Sequence, residues 1–173
     1  MLIGLGFRKR NGKSVSSRYL VENYGFIEFA FATRLKQMID ALHDIPAYYK
    51  VTAKESIIPS LGKSYRSLCE EYGQGMRTLF GAKYWVNLLK TDIKGANKEK
   101  IVVSDVRHMS EVSFIKEQGG ILINITNPRI EPDTKHISEQ QLINYDKWDY
   151  VVINDGTKEE LYKKLDILLK ELI

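Results

Sequence analysis

Short apolar stretches alternate along the chain with segments of helical periodicity. Leu2–Gly6, Ile101–Val103 and Ile121–Ile125 are apolar at nearly every position, which is typical of strands buried on both faces. Arg34–Leu42 instead carries its apolar residues at intervals of three and four, as one face of a helix does. Such strands, separated by amphipathic helices, predict an α/β fold with a central parallel sheet and helices on both faces.

The remaining predicted elements continue the alternation. Strands are predicted at Phe26–Phe31 and Tyr150–Ile153, and Thr157 is predicted to cap the final helix. Gly73 and Gly75 are predicted to break the helical pattern of their region. The other predicted helices, besides Arg34–Leu42, are Ser14–Tyr24, Ser64–Glu71, Met76–Leu89 and Ser110–Gln118, and Lys94–Lys100 is a predicted polar turn.

Length and charge limit the classes of protein that fit. The 173 residues suit a single domain, 1–173, with inserted stretches near 43–75 and 127–138. The net charge of +4 is a small excess, and its densest basic cluster lies within one short loop, so nucleic acid is not expected as a partner. No apolar run is long enough to predict a membrane-spanning helix. Because Cys69 is the single cysteine, a cytoplasmic location is favoured.

A phosphate-binding pattern follows the first predicted strand. Gly12-Lys13-Ser14 is the end of the sequence Gly-x-x-x-x-Gly-Lys-Ser/Thr, although Phe7 stands where its first glycine is expected. Lys13 would bind the donor phosphates of a nucleotide such as ATP, Ser14 would hold Mg²⁺, and Arg10 and Asn11 would complete the loop. The alternative is an ordinary surface Gly-Lys-Ser that precedes a helix.

A second polar group follows the predicted strand Ile101–Val103. Asp105 could bind Mg²⁺ through water or accept a hydrogen bond from an acceptor, and Arg107 could bind a phosphate with its planar guanidinium. The alternative is an Asp–Arg salt bridge that closes a turn. His108 could contact a phosphate or a base, or be an exposed loop histidine.

Several short motifs resemble the deoxynucleoside monophosphate kinases of bacteriophages, in that family's order. They are Ile3–Gly6 with Gly12-Lys13, Phe29-Ala30 with Lys36, Tyr65-Arg66 with Gly73 and Arg77, Tyr84–Val86, Asp105–Arg107 with Glu111, His136–Glu139, Trp148–Tyr150 and Asn154–Thr157. The resemblance implies a P-loop kinase fold, a three-layer sandwich around a parallel sheet. It also implies transfer of the γ-phosphoryl group of ATP to a deoxynucleoside monophosphate, with Mg²⁺ arriving on the nucleotide, and makes a homodimer plausible.

The resemblance further implies the roles of individual residues. It assigns the acceptor phosphate to Lys36, Arg66 and Arg107, and the nucleoside pocket to Gly73, Trp85 and Asp105. Asn127 stands where the family's lid usually has an arginine, so Arg129, Arg8 or Arg10 would be the lid arginine. The remaining residues that it places against the substrate are Gln74, Arg77, His108, Glu111 and Ser138.

Each of these residues also has a structural interpretation. On pattern alone Lys36 is a solvated helix residue, Arg66 and Arg77 are surface residues, and Trp85 packs in the core. Ser138 could cap a helix with Glu139. Cys69 is predicted to be a buried thiol, and the spacing of His, Cys and Asp predicts no structural metal.

Two alternative functions remain open from the sequence. The first is a P-loop kinase that acts on a hydroxyl group of another small molecule, for which Asp105 would be the general base. The second is a non-catalytic nucleotide-binding sensor, which the Phe7 substitution and the displaced lid arginine favour. In the deoxynucleotide kinase hypothesis the two inserted stretches are expected to close over the bound nucleotides and exclude water.

Overall fold

The computed structural model describes residues 1–6, 8–131 and 140–172. In chain order the strands are β1 Leu2–Gly6, β2 Ile27–Phe29, β3 Ile57–Ile58, β4 Lys63–Ser64, β5 Ile101–Val106, β6 Ile121–Thr126 and β7 Tyr150–Ile153. The helices are α1 Lys13–Tyr24, α2 Ala32–Leu42, α3 Ala47–Val51, α4 Tyr65–Phe80, α5 Tyr84–Ala96, α6 Met109–Glu117 and α7 Lys158–Leu172.

The chain divides into two compact units. The first contains Met1–Ala30 and Asp92–Ile173, and the second contains Phe31–Thr91. The predicted insertion near 43–75 lies wholly within the second unit. No helix formed by the described residues is long and apolar enough to cross a membrane.

The first unit is built on a five-stranded sheet in the order β2-β5-β1-β6-β7. All of its strand pairs are parallel, which confirms the sequence prediction. The central strand β1 has β5 on one side and β6 on the other, with Gly6 opposite both Val106 and Asn124. In sheets of this kind ligands bind beyond the carboxyl ends of the strands, close to where the strand order reverses.

Helices cover both faces of this sheet, as the three-layer prediction requires. On one face the buried side chains of Ile3 and Leu5 pack in a cluster with Leu20 of α1 and with Leu161 and Leu165 of α7. The opposite face packs on α6. There Gly4 lies so close to its neighbours that an added Cβ would be 3.1 Å from the side chains of Ile115, Leu122 and Val106. The continuously apolar sequence of the strands is therefore buried from two sides.

The predicted helix break at Gly73 and Gly75 is wrong, because α4 runs through both glycines and ends at Gly81. A glycine inside a helix costs only about 1 kcal/mol relative to alanine, which tertiary packing readily offsets. Gly73 is buried, and an added Cβ would be 3.3 Å from Leu35 of α2. Gly81 has φ of +93°, so the change of direction takes place there.

Three smaller boundaries also differ from the prediction. The expected turn Lys94–Lys100 is partly helical, because α5 extends to Ala96. The stretch expected to be irregular, His43–Ser60, contains α3 and the strand β3, which pairs antiparallel with β4. The strand expected at Ile101–Val103 continues to Val106.

Candidate functional site

The phosphate loop connects the end of β1 to the start of α1. Within its described part, Arg10 and Gly12 adopt positive φ angles of 64° and 103°. The carbonyl oxygen of Gly12 accepts the first helical hydrogen bonds, from the backbone N–H groups of Val15 and Ser16. The loop therefore leads directly into a helix N-terminus, where free N–H groups and the helix dipole favour an anion. Phe7 lies outside the described residues.

Lys13 is buried at the first position of α1, with 6% of its surface exposed. Its ammonium group donates a hydrogen bond to the carbonyl oxygen of Arg8, on the other side of the same loop. A lysine is almost never this buried unless it is paired. The loop thus holds a positive charge at the carboxyl end of the central strand.

The other residues predicted for the donor nucleotide lie around Lys13. Ser14 is exposed in the first turn of α1, and Arg10 is exposed in the loop. Asn11 is buried, and its carbonyl oxygen accepts a hydrogen bond from the side chain of Asn154. Asn154 follows β7 and is a contact that no pattern near the loop predicts.

Asp105 and Arg107 lie at the carboxyl end of β5, next to the end of β1. Asp105 belongs to the strand itself, and Arg107 is the first residue after it. The register between β1 and β5 shifts between Gly4 and Gly6, so that Gly6 pairs with Val106. Both polar side chains are half-buried. The structure therefore brings this predicted pair and the phosphate loop to the ends of neighbouring strands.

Glu111 fixes the backbone at the start of α6. Its Oε2 accepts hydrogen bonds from the N–H groups of Arg107, at 2.7 Å, and of His108, at 3.0 Å. Its side chain is buried, and so is His108, whose Nδ1 lies 2.7 Å from Oε1 of Gln141. The prediction that His108 is an exposed loop residue is therefore wrong. Glu111 holds the Arg107 backbone, and the implied contact of both residues with substrate stays a prediction.

In the second unit Lys36 and Arg66 both influence Cys69. Burial raises the pKa of the half-buried Cys69 thiol, and the positive charges of Lys36 and Arg66 oppose that shift. Lys36 is exposed on α2, and Arg66 Nε is paired with Glu55. These two cations are the ones that the resemblance assigns to an acceptor phosphate.

The other residues predicted from the second unit lie on α4 and α5. Trp85 is 3% exposed, and its Nε1 donates to the carbonyl oxygen of Gly73 at 3.0 Å. Arg77 Nη1 donates to the same carbonyl at 3.2 Å. Gln74 is exposed on α4, and its carbonyl accepts a bond from Thr78. For Trp85 the geometry favours the core interpretation over stacking with a base.

Part of the predicted lid, the inserted stretch near 127–138, belongs to the described residues. Arg129 is exposed, and its N–H donates to Oδ1 of Asn127 at 3.0 Å. A hydrogen bond from Lys164 lowers the pKa of Asp155, and the positive charge of Arg129 contributes in the same direction. Ser138 lies outside the described residues. Among the described residues no group of three or more His, Cys, Asp or Glu side chains could hold a metal ion.

Comparison with known sequences identifies relatives along most of the chain. The sequence profile of the family described as deoxynucleotide monophosphate kinase matches residues 63–165. A protein of Acanthamoeba polyphaga mimivirus, provisionally named deoxynucleotide monophosphate kinase, is 32% identical over 181 aligned positions, which cover 95% of this chain and 94% of that protein. The deoxynucleotide monophosphate kinase of Escherichia phage RB69 is 34% identical over 95 residues, which cover 53% of this chain and 38% of the phage enzyme.

Comparison with solved structures identifies the fold. Shikimate kinase from Aquifex aeolicus vf5 superposes with a TM-score of 0.53 at 20% identity, covering 99% of this chain and 97% of that enzyme. Dephospho-CoA kinase from Campylobacter jejuni superposes with a TM-score of 0.54 at 13% identity, covering 98% and 96%.

The sheet order, the loop after β1 and these structural neighbours define the class: the chain has the fold of the P-loop kinases. Enzymes of this class transfer phosphoryl groups from ATP, mainly by positioning the reactants and neutralising charge. Within the class, the chain belongs to the deoxynucleotide monophosphate kinase family. The resemblance seen in the sequence is confirmed, and the chain is a nucleotide kinase.

Proposed function

We propose that this chain transfers the γ-phosphoryl group of ATP to a deoxynucleoside monophosphate, with the Lys13 loop as the donor site. The observation that carries the proposal is the buried ammonium group of Lys13, held by the Arg8 carbonyl at the N-terminus of α1. An ammonium in that position would exchange a carbonyl partner for phosphate oxygens when a nucleotide binds. Arg10, Asn11 and Gly12 would contribute charge and backbone N–H groups to the same phosphates.

The hydroxyl of Ser14 suits a hard cation that arrives with the nucleotide. It is exposed in the first turn of α1, directly after Lys13, and an oxygen ligand of this kind is what Mg²⁺ prefers. When bound, Mg²⁺ supplies further neutralisation of the phosphate charge. We therefore propose Mg²⁺ as the companion ion of ATP, with Ser14 as its protein ligand.

Asp105, Arg107 and Arg129 are proposed to act on the reacting phosphates or the acceptor. Arg107 has a fixed backbone, since Glu111 accepts its N–H, and its guanidinium can bind two oxygens of one phosphate. Asp105 would accept a hydrogen bond from the acceptor nucleotide. Arg129 is the proposed lid arginine, and its charge would be needed most where negative charge accumulates during transfer.

Lys36 and Arg66 are proposed to bind the phosphate of the acceptor monophosphate. Both charges act on the Cys69 thiol, so a dianionic phosphate in that region would be attracted by two cations instead of one. Arg66 is held by Glu55 on an exposed surface, where an ion pair is worth little and is readily exchanged for a phosphate. Gln74 and Arg77, on the same helix, and Ser138 are proposed to contact the nucleotide beyond that phosphate. We also propose that the enzyme acts in the cytoplasm of a host cell, as a relative of phage enzymes would.

The test is transfer by Lys13→Ala, compared with the wild type and with Lys163→Ala. Removing one preorganised charge should lower the rate by at least about a hundredfold. Lys163 is exposed on α7, so its replacement removes the same type of charge away from the loop and should leave the rate unchanged. A Lys13→Ala enzyme that transfers at the wild-type rate would show that the loop assignment is wrong.

The acceptor panel separates the alternatives. It contains the common deoxynucleoside monophosphates, their ribose counterparts and a simple alcohol such as glycerol, with ADP formation as the readout. ADP formed only with the alcohol would favour a hydroxyl kinase with Asp105 as base. Binding of ATP without turnover on any acceptor would favour a nucleotide sensor.

A further inference from the structure

The peptide that joins Asn11 to Gly12 is held from outside the phosphate loop by Asn154. Nδ2 of Asn154 donates a hydrogen bond of 3.0 Å to the carbonyl oxygen of Asn11. Because a carbonyl only accepts, the amide nitrogen has to be the group that faces it. The backbone N–H of Asn154 in turn donates to the carbonyl of Thr126 at 2.7 Å. Asn154 therefore connects the loop to the ends of β6 and β7.

The closeness of this contact restricts the residue at position 12. A Cβ on Gly12 would lie 2.5 Å from Nδ2 of Asn154 and 3.5 Å from Cδ2 of Leu161. The φ angle of Gly12, +103°, is also one that residues with a side chain rarely adopt. Glycine is thus required here both by the backbone conformation and by the approach of the Asn154 amide.

The direction of the hydrogen bond determines where the next N–H group points. In a planar trans peptide the C=O and the N–H project to opposite sides of the chain. With the Asn11 carbonyl directed at Asn154, the Gly12 N–H is directed away from it. A loop that binds an anion needs its backbone N–H groups to face the ligand and to be fixed before it arrives.

We propose that Asn154 is a positioning residue for the nucleoside triphosphate: its amide fixes the Asn11–Gly12 peptide with the N–H group facing the bound phosphates. This inference rests on the proposed donor role of the Lys13 loop. Asn154 does not need to touch the nucleotide in order to act. Its effect is on the affinity for the donor, and the affinity for the monophosphate acceptor is unaffected.

The experiment compares Asn154→Ala and Asn154→Asp with Asn23→Ala. Both Asn154 variants remove the donor, and the aspartate keeps the size of the side chain. Asn23 is the matched control, because its Nδ2 also donates to a backbone carbonyl, that of Tyr19 at 3.1 Å, but at the exposed opposite end of α1. ATP affinity is measured by calorimetry without acceptor, the KM of the monophosphate by ADP formation, and loop mobility by hydrogen exchange of peptides covering residues 8–16.

The expected result is a loss of affinity for ATP but not for the monophosphate. Asn154→Ala should weaken ATP binding by about fivefold or more, the ratio expected for one lost hydrogen bond. Its KM for the monophosphate should stay within about twofold of the wild type, because the donor affinity alone is affected. Exchange in residues 8–16 should become faster, and Asn23→Ala should behave like the wild type in all three measurements.

The inference is overturned if Asn154→Ala binds ATP as tightly as the wild type, or if exchange in the loop is unchanged. It is also overturned if donor and acceptor affinities fall together. If Asn154→Ala does not fold, loop exchange in Asn154→Asp decides, because the new carboxylate would by itself repel the phosphates and lower the ATP affinity. A wild-type protein that binds ATP but transfers nothing would contradict the proposed function and leave the calorimetric test valid. If the wild type binds no ATP, loop exchange alone decides whether Asn154 orders the loop.

Discussion

Trp85 Nε1 and the carbonyl oxygen of Gly73 form a buried hydrogen bond of 3.0 Å, which connects the start of α5 to the middle of α4. The same carbonyl also accepts a bond of 3.2 Å from Arg77 Nη1. These two bonds join Trp85 and Arg77 to the middle of α4, and they place both Gly73 and Trp85 in the core of the second unit. The bond gives this tryptophan a structural role, which is distinct from a role in binding the nucleoside.

Replacing Trp85 with phenylalanine tests that role. The variant loses a buried hydrogen bond while Arg77 still satisfies the Gly73 carbonyl, so the free energy of unfolding should fall by about 1–2 kcal/mol. Urea denaturation measures the loss. The matched control is Trp148→Phe, since Trp148 Nε1 donates to the Tyr145 carbonyl at 2.9 Å in a half-buried position, and the loss there should be smaller. An unchanged stability with a raised KM for the monophosphate would instead place Trp85 against the nucleoside.

The two glycines of α4 should respond differently to alanine. An added Cβ on Gly75 would meet open space, with no atom beyond its chain neighbours and its own helix backbone within 4 Å, so Gly75→Ala should stabilise the protein by about 0.5–1 kcal/mol. At Gly73 the methyl would be 3.3 Å from Leu35 Cδ2, and that crowding should cancel or reverse the gain. Thermal unfolding of both variants measures the difference. Equal stabilisation at both sites would mean that Gly73 is not a close contact between α2 and α4.

The sheet could be predicted because each strand carries its own signal. Ile101–Val103 is apolar throughout and Ile121–Ile125 is apolar except at Asn124, and burial on two faces leaves few alternatives. The course of α4 could not be predicted, since a glycine that breaks a helix and one that admits Leu35 look alike in sequence. The choice between them depends on a contact with another helix, which no local pattern records.

The candidate site also has a part that the sequence predicts and a part that it does not. The Lys13 loop was predicted because its residues are adjacent in the chain and its pattern has a fixed spacing. The contact between Asn154 and Asn11 was not predicted, because the two residues are 143 positions apart and the contact depends on where β7 ends. Glu111 was associated with substrate through the resemblance, whereas its visible contacts are with the N–H groups of Arg107 and His108. A carboxylate has the same identity in both roles, so sequence alone does not separate them.

The stability of the first unit should depend on pH through Asp166. Its Oδ1 accepts hydrogen bonds from the hydroxyls of Tyr19, at 2.6 Å, and Tyr24, at 2.7 Å, and these bonds lower the pKa of the carboxyl below its ordinary 3.8. Because the folded pKa is the lower one, the stabilisation is present above about pH 4 and is lost as the pH falls through the folded value. The variant Tyr19→Phe/Tyr24→Phe should therefore lose less stability than the wild type between about pH 5 and pH 2.

The same hydrogen bonds predict that the stability of the first unit also changes in alkaline solution. The hydrogen bond to Asp166 raises the pKa of Tyr19 to about 12, and burial adds to the shift. A raised pKa favours the neutral hydroxyl in the folded state, so this stabilisation is complete below pH 10 and is lost between 10 and about 12. Tyr162→Phe is the control, because its ring stacks on Tyr19 and both bonds to Asp166 remain. Parallel pH profiles for the control and the Tyr19→Phe/Tyr24→Phe variant would contradict the assignment.

Gly6 is the last residue of β1, and its missing side chain makes room for Trp148. A Cβ on Gly6 would lie 2.3 Å from Cη2 and 2.6 Å from Cζ3 of the Trp148 ring, so Gly6→Ala has to displace the indole. Overpacking of this kind costs about 1–3 kcal/mol. In a Trp85→Phe background Trp148 is the single tryptophan, and its emission should shift to longer wavelength as the ring becomes more exposed.

The displacement should also reach the phosphate loop, because Gly6 leads directly into it. We expect ATP binding to weaken in Gly6→Ala, with calorimetry as the measurement. Gly95→Ala is the control: Gly95 lies in α5, and beyond its chain neighbours and own helix backbone no atom is within 4 Å of an added Cβ, so the variant should leave both the emission and the ATP affinity unchanged. If Gly6→Ala alters neither property, the indole does not rest on the end of β1, and the loop is not sensitive to how that strand ends.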